Sequence, residues 1–153
     1  MTGPPCYARR MELRIRPATA ADIPRIAATD PLASSESARM RQIERAVTEG
    51  TAHVADRDGS IVGYVVVENA SFFGRDFLSL LSVDPGFRRG RVGSALVEYC
   101  LSRCVSARLF TSTNQSNVAM QRLLRGLRFV HSGTIDDLDP GDPELFYSRD
   151  PAG

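Results

Sequence analysis

The sequence predicts one α+β domain, a mixed sheet with helices on both faces, in the order β α α β β β α β α β β. Three observations carry this reading. Apolar spacing switches repeatedly between a period of two and a period of 3.6. Turn signals at Gly50, Asp58-Gly59 and Pro85 separate the runs. A chain of 153 residues buries roughly two-thirds of its unfolded surface in a single core, so it needs neither a second domain nor covalent staples.

Leu13 and Ile15 alternate with Arg14 and Arg16, which makes a first strand. Thr19 and Asp22 frame a capping box ahead of Ile23, Ile26 and Ala27, and Pro24 falls in the first turn, where its missing N–H costs little. A second helix follows Ser34 and Ser35, with Met40, Ile43 and Val47 on one face and Gly50 as its stop. Strands over residues 51–55 and 61–67 flank the Asp58-Gly59 turn, and a fourth runs over 77–83.

Val92, Ala95, Leu96, Tyr99 and Cys100 set a third helix, and Met120, Leu123, Leu124 and Leu127 a fourth. Strands over 108–112, 129–135 and 145–148 complete the chain. Strands 2 to 4 are expected to be antiparallel, whereas strands 4 and 5, joined by a helix, are expected to be parallel. The folded domain is expected over 11–150, with residues 1–10 as a loose tail that lacks the apolar core of a signal peptide.

Nineteen basic and eighteen acidic residues leave a net charge of +1. No global field draws nucleic acid or a membrane surface, so an anionic partner must be held locally. No apolar run approaches the length of a bilayer span. Three cysteines make no disulfide framework, and Cys100 and Cys104, four apart on a helix face, read as small buried hydrophobes. His53 and His131 lie too far from them in sequence to suggest a metal site. A cytoplasmic protein is the expectation.

The segment V-D-P-G-F-R-R-G-R-V-G-S-A-L, residues 83–96, concentrates the chemistry. An apolar strand ends in a turn with Arg88, Arg89 and Arg91, and small residues then open a helix. Free backbone N–H groups and fixed positive charge at a helix start suit a pyrophosphate; a basic turn that merely caps a helix is the plain alternative. Neither a Walker loop nor a G-x-G-x-x-G fingerprint is present.

This segment resembles motif A of the GNAT superfamily of acyl-CoA-dependent N-acyltransferases, V-x-P-x-x-[RQ]-x-x-G-x-[GA]. It departs at one position: Arg91 stands where the central glycine usually does, with Gly90 expected to supply the flexibility. N-V-A-M-Q-R-L-L-R-G-L-R-F, residues 117–129, resembles motif B, N-x-x-A-x-x-L-Y-x-x-x-G-F. Asn117, Leu123 and Phe129 match; Met120, Leu124 and Arg128 replace alanine, tyrosine and glycine. The opening L-R-I-R-P-A-T-A-A-D-I-P-R-I and the element order are similar too.

The resemblance implies acetyl-CoA as cosubstrate and an amine as acceptor. It places the pantetheine arm along Leu81, Ser82 and Val83, with further hydrogen bonds from Asn114 and Asn117. The pyrophosphate falls on Arg88, Arg89, Gly90, Arg91, Val92, Gly93 and Ser94. Asn117 equally suits a helix cap. Homodimers occur among such proteins.

Catalysis requires a deprotonated amine, a stabilised oxyanion and a thiolate that leaves. Leu124 cannot donate the proton that the family's tyrosine often gives, so either Tyr147 on the last strand substitutes or the thiolate leaves unassisted, which a thiol pKa of about 8.5 allows. For the base, Glu68, with Asp76, is the nearest carboxylate by topology, although either also reads as a solvated strand-end residue, and a water wire to bulk would also suffice.

Asp136 to Glu144 holds five acids and no base, either a solvated turn or an attraction for a cationic acceptor. Phe72 and Phe73 read as core, or as the lining of an acceptor pocket. The function expected is N-acetyl transfer to a primary amine. A non-catalytic acyl-CoA sensor is the alternative, kept open by the missing tyrosine.

Overall fold

The computed structural model describes residues 12–153. The tail expected over 1–10, with Cys6, lies outside the described residues. The elements are β1 (Leu13–Pro17), α1 (Ile23–Thr29), α2 (Ser37–Glu49), β2 (Ala52–Arg57), β3 (Ser60–Phe72), β4 (Arg75–Val83), α3 (Val92–Arg103), β5 (Leu109–Asn114), α4 (Val118–Gly126), β6 (Val130–Ile135) and β7 (Glu144–Arg149), with one-turn 3-10 segments at Ala20–Asp22 and Pro85–Phe87. Their order is the one expected.

They form a seven-stranded sheet ordered β1-β2-β3-β4-β5-β7-β6. Only β4 and β5 pair in parallel; the other neighbours are antiparallel. α1 and α2 seal one face through Ile26, Ile43 and Ala46 against Val54, Tyr64, Val66 and Leu80. α3 and α4 seal the other through Val92, Leu96, Val97, Cys100 and Leu124 against Val62, Leu78 and Leu109. Each such aliphatic side chain contributes roughly 1.5–3 kcal/mol when fully buried. Cys100 sits in this second core, and burial pushes its thiol up to about 12. No described helix is long and apolar enough to cross a membrane.

β3 reads as a nearly continuous apolar run because both its faces are covered. Gly63 lets α3 approach: a Cβ there would lie 2.9 Å from the Ser82 carbonyl oxygen and 3.3 Å from both Leu96 and Val92. At the chain's opening, the Thr19–Asp22 capping box forms as expected. The Asp22 carboxylate also takes two hydrogen bonds from Arg16, 2.8 and 3.0 Å, and this guanidinium holds it at about 2.

β3 runs on to Phe72 rather than stopping at Val67, and a two-residue turn, Phe73-Gly74, returns the chain to Arg75. Both turn residues have positive φ, 49° and 75°, the geometry that favours Asn-Gly. A phenylalanine in that place hid the turn. The core reading of Phe72 and Phe73 is corrected as well. Phe73 is 90% exposed, and Phe72 belongs to a half-buried surface cluster, its ring 5.0–5.6 Å from Phe77, Phe110 and Phe146.

Candidate functional site

Between β4 and β5 the sheet comes apart. The two strands pair only from Asp76 to Leu78 against Leu109 to Thr111. β4 then carries an extra residue, Ser79, because Val66 and Val67 of β3 face Leu80 and Leu78. Such a bulge bends a strand and breaks its ladder, which here turns β4 away from β5. A groove of about 430 Å³ opens in the gap, with Ser79, Leu81, Ser112 and Asn114 on its walls. It continues into a second hollow of about 350 Å³ that reaches Arg91, Gly93 and Ser94; Leu81, Ser82, Arg88, Asn117 and Met120 border both.

Backbone groups line this gap as a consequence of register. The Asp84 amide donates to the Val62 carbonyl over 2.8 Å, which makes that rung a hydrogen-bonded pair. Alternation in an antiparallel ladder then turns Ser82 toward β3 and the amides and carbonyls of Leu81 and Val83 toward the groove. The Val83 carbonyl accepts from Arg88 Nε at 3.4 Å, consistent with that direction. The Ser82 hydroxyl is committed elsewhere: it donates to the Thr29 carbonyl over 2.9 Å, tying β4 to the end of α1.

The turn after β4 is held by Asp84, whose carboxylate takes the Gly86 N–H and whose carbonyl takes the Phe87 N–H. α3 begins at Val92, so the amides of Val92, Gly93 and Ser94 have no carbonyl one turn back to bond. Val92's own side chain is buried in the core, leaving only its backbone to the groove side. Arg88 borders both hollows, while Arg89 is exposed and borders neither.

One expectation for this turn is corrected. Gly90 does not supply the bend; Arg91 itself adopts the left-handed conformation, φ 61° and ψ 16°. The second arginine at a family glycine behaves alike. Arg128, φ 64°, closes α4 with the Phe129 amide on the Leu124 carbonyl and its own amide on the Arg125 carbonyl, a Schellman ending. The backbone shape of both glycines is thus kept without glycine, at a cost of roughly 1–2 kcal/mol each. Arg91→Gly is expected to raise the unfolding free energy by about 1 kcal/mol. Thermal unfolding checks this; an unchanged melting temperature contradicts it.

Of the two asparagines, Asn117 borders the groove and caps α4, its Oδ1 accepting the Met120 N–H at 3.1 Å. Asn114 donates to Asp139 at 2.8 Å and to the Asp142 carbonyl at 3.3 Å. Asp142 also takes the Ser116 amide and hydroxyl. The acidic stretch is therefore more than a solvated turn: its Asp139 carboxylate clamps it to the end of β5 and its Asp142 carboxylate to the turn that leads into α4.

The two candidate catalytic residues are not brought to the groove. Tyr147 lies opposite Thr111, on the face covered by α3 and α4, 1% exposed in the core, and its hydroxyl has no partner among the described residues. Glu68 pairs with Phe77 just before the bulge, where β4 and β5 are still joined, and so sits beside α2 in a hollow with Arg41, Arg45 and Glu49 rather than in the gap. Asp76 is buried rather than solvated, accepting the Ala70 and Val105 amides.

Three features escaped sequence reasoning. The Ser79 hydroxyl is buried at the bulge without a partner among the described residues, and no local signal announces a bulge. Arg57, at the end of β2, lays its guanidinium 5.5 Å from the Phe87 ring centroid, beneath the arginine turn. Asp30, after α1, is 4% exposed on the groove wall. It accepts the Tyr64 hydroxyl at 2.5 Å, Arg39 at 3.2 Å and the Leu32 amide at 3.0 Å. Burial, with Asp30 as hydrogen-bond partner, pushes the Tyr64 hydroxyl far up, so it stays a donor. Only the Asp-Pro pair at 30 and 31 hinted that this segment turns back sharply.

Comparison with known proteins bears on the same geometry. The family model described as Acetyltransferase (GNAT) family matches residues 19–129. The solved structure of a GNAT-family acetyltransferase from Bacillus cereus ATCC 10987 is 32% identical, covers 91% of this chain and 97% of its own, and superposes with a TM-score of 0.84. Two more distant structures share the fold. They are yncA from Salmonella typhimurium, solved with its cofactor acetyl-CoA (18% identity, 91% and 94% coverage, TM-score 0.71), and the ribosomal-protein-S18-alanine N-acetyltransferase of Escherichia coli (16%, 91% and 94%, 0.71). No curated protein matches the chain.

Proposed function

Because the chain belongs to the acetyltransferase (GNAT) family, we propose that it transfers an acetyl group from acetyl-CoA to a primary amine of a small molecule or peptide. The observation that supports this most is the parting of β4 from β5 at the Ser79 bulge, which turns strand amides and carbonyls into a groove that leads to the start of α3.

In this reading Leu81 and Val83 pair with the amides of the pantetheine arm as a neighbouring strand would. The amides of Val92, Gly93 and Ser94, with Arg88 and Arg91, take the pyrophosphate at the positive end of the α3 dipole. Arg89 adds charge from outside the groove, and Gly90 keeps the turn slim over Arg57. An N–H of β4 beside the bulge stabilises the carbonyl oxygen as it becomes an oxyanion. The amine nitrogen attacks the thioester carbon, the C–S bond breaks, and the thiolate leaves. With Leu124 and Tyr147 both in the core, no side chain of the α4 face protonates it. A thiol pKa of about 8.5 lets it depart with water as the proton source.

Acetyl-CoA is expected to raise the unfolding free energy by about 2.7 kcal/mol at a hundred times its dissociation constant. It is also expected to release CoA on addition of an amine from a panel of polyamines, aminoglycosides, amino acids and peptides. A melting temperature indifferent to acetyl-CoA refutes the cosubstrate. Binding without CoA release from any of the amines favours the sensor, for which the buried Leu124 speaks.

A further inference from the structure

We propose that Glu144 is the base that takes the proton from the acceptor ammonium, an assignment that rests on the acetyltransferase reading. Among the described residues two carboxylates line the groove, Asp30 and Glu144. Asp30 is fully engaged: one oxygen takes the Leu32 amide, the other takes Arg39 and the Tyr64 hydroxyl. The Glu144 carboxylate has no hydrogen-bond partner among the described residues, and its half-buried side chain reaches the same groove.

Register decides which side of the groove it serves. Directly opposed residues of an antiparallel pair share a face. Glu144 faces Asn114 and Phe146 faces Ser112, whereas Tyr147 faces Thr111 on the side packed under α3 and α4. The hollow that continues along Gly93, Met120 and Leu123 follows α3 and α4, so the cosubstrate lies toward them. The face that bears Glu144, closed by Asp30, Leu32 and Arg39, is left for the acceptor. Glu144 is also held in place. It opens β7 between Asn114 of β5 and Ile135 of β6, and the loop before it is clamped through Asp139 and Asp142.

The proton balance closes without another reagent. An N–H bond of the ammonium breaks, its proton goes to a Glu144 oxygen, and the freed lone pair forms the C–N bond. Collapse breaks the C–S bond; the second N–H proton passes through water to the thiolate, and Glu144 returns its proton to bulk. Charged groups around it are Asp30 and Arg39 from the α1–α2 segment, Arg88 from the turn after β4, Asp136 and Asp137 after β6, and Asp139 and Asp142 in the clamped loop. β5 contributes only the neutral Asn114.

The test uses the full chain, acetyl-CoA and whichever panel amine turns over fastest. Glu144→Gln is expected to lower kcat about 100-fold, within the range for general-base catalysis. It is expected to leave the acetyl-CoA dissociation constant unchanged and to flatten the acid limb of the pH profile, with Glu144→Asp restoring part of the rate. The defect is expected to shrink for a weakly basic amine that is already neutral at the assay pH. A Glu144→Gln chain with parental kcat overturns the assignment, as does one equally impaired toward the weakly basic amine. A wild-type chain that binds acetyl-CoA yet acetylates no amine overturns the acetyltransferase reading itself, and this assignment with it.

Discussion

Asp30→Ala is expected to lower the unfolding free energy by about 3 kcal/mol, measured by urea denaturation. Removing one member of a buried ion pair strands the other, which typically costs 3–5 kcal/mol. The lower figure applies because the Arg39 side chain is 22% exposed and can turn to water. Tyr64, fully buried, cannot: its hydroxyl loses its acceptor, Asp30. Asp30→Asn keeps an oxygen for Tyr64 and is expected to retain part of the stability. A loss below 1 kcal/mol for the alanine variant shows that the network is dispensable.

Gly93→Val is expected to weaken acetyl-CoA by about 10- to 100-fold, the equivalent of the 1–3 kcal/mol that overpacking costs. A Cβ at Gly93 lies 3.3 Å from a Leu123 methyl and 3.7 Å from a Val83 methyl. The valine therefore presses α4 as well as narrowing the hollow, so some loss of fold stability accompanies the loss of binding. Gly93→Ala, whose single carbon crowds the mobile end of Leu123 and meets Val83 at ordinary contact distance, separates the two effects, because it is expected to fold normally and bind a few-fold more weakly. Calorimetric titration reads both. A valine variant that binds like the parent moves the phosphate cradle away from α3.

The fold was legible because its elements are long and strongly periodic, and because a helix between β4 and β5 leaves little choice but a parallel pair. The glycine stop at Gly50 and the Thr19–Asp22 box read directly as local chemistry. What stayed hidden depends on conformations that residue type does not advertise. Arg91, Arg128 and Phe73 occupy left-handed backbone where Gly or Asn is the usual signal. Glu68 and Tyr147 were chosen by strand neighbourhood, which cannot tell one sheet face or strand end from another. The groove's acidic and aromatic neighbours, Asp30 with Tyr64 and Glu144 with Asn114, come from segments 34 and 30 positions apart in sequence. Strand register joins the second pair, and packing of α1 on the sheet the first.

The three rungs between β4 and β5 have a mechanical consequence. On one side of that seam stand β1 to β4, laced by long ladders; on the other, β5, β7 and β6 form a compact unit of their own. Past Leu78 nothing in the sheet itself fixes the distance between the two parts. That spacing is set by side chains, chiefly α3 and α4 bridging from above. The molecule is therefore stiff along its strands and compliant across one line. Breathing at that line breaks few hydrogen bonds, and whatever fills it acts as the missing stitch.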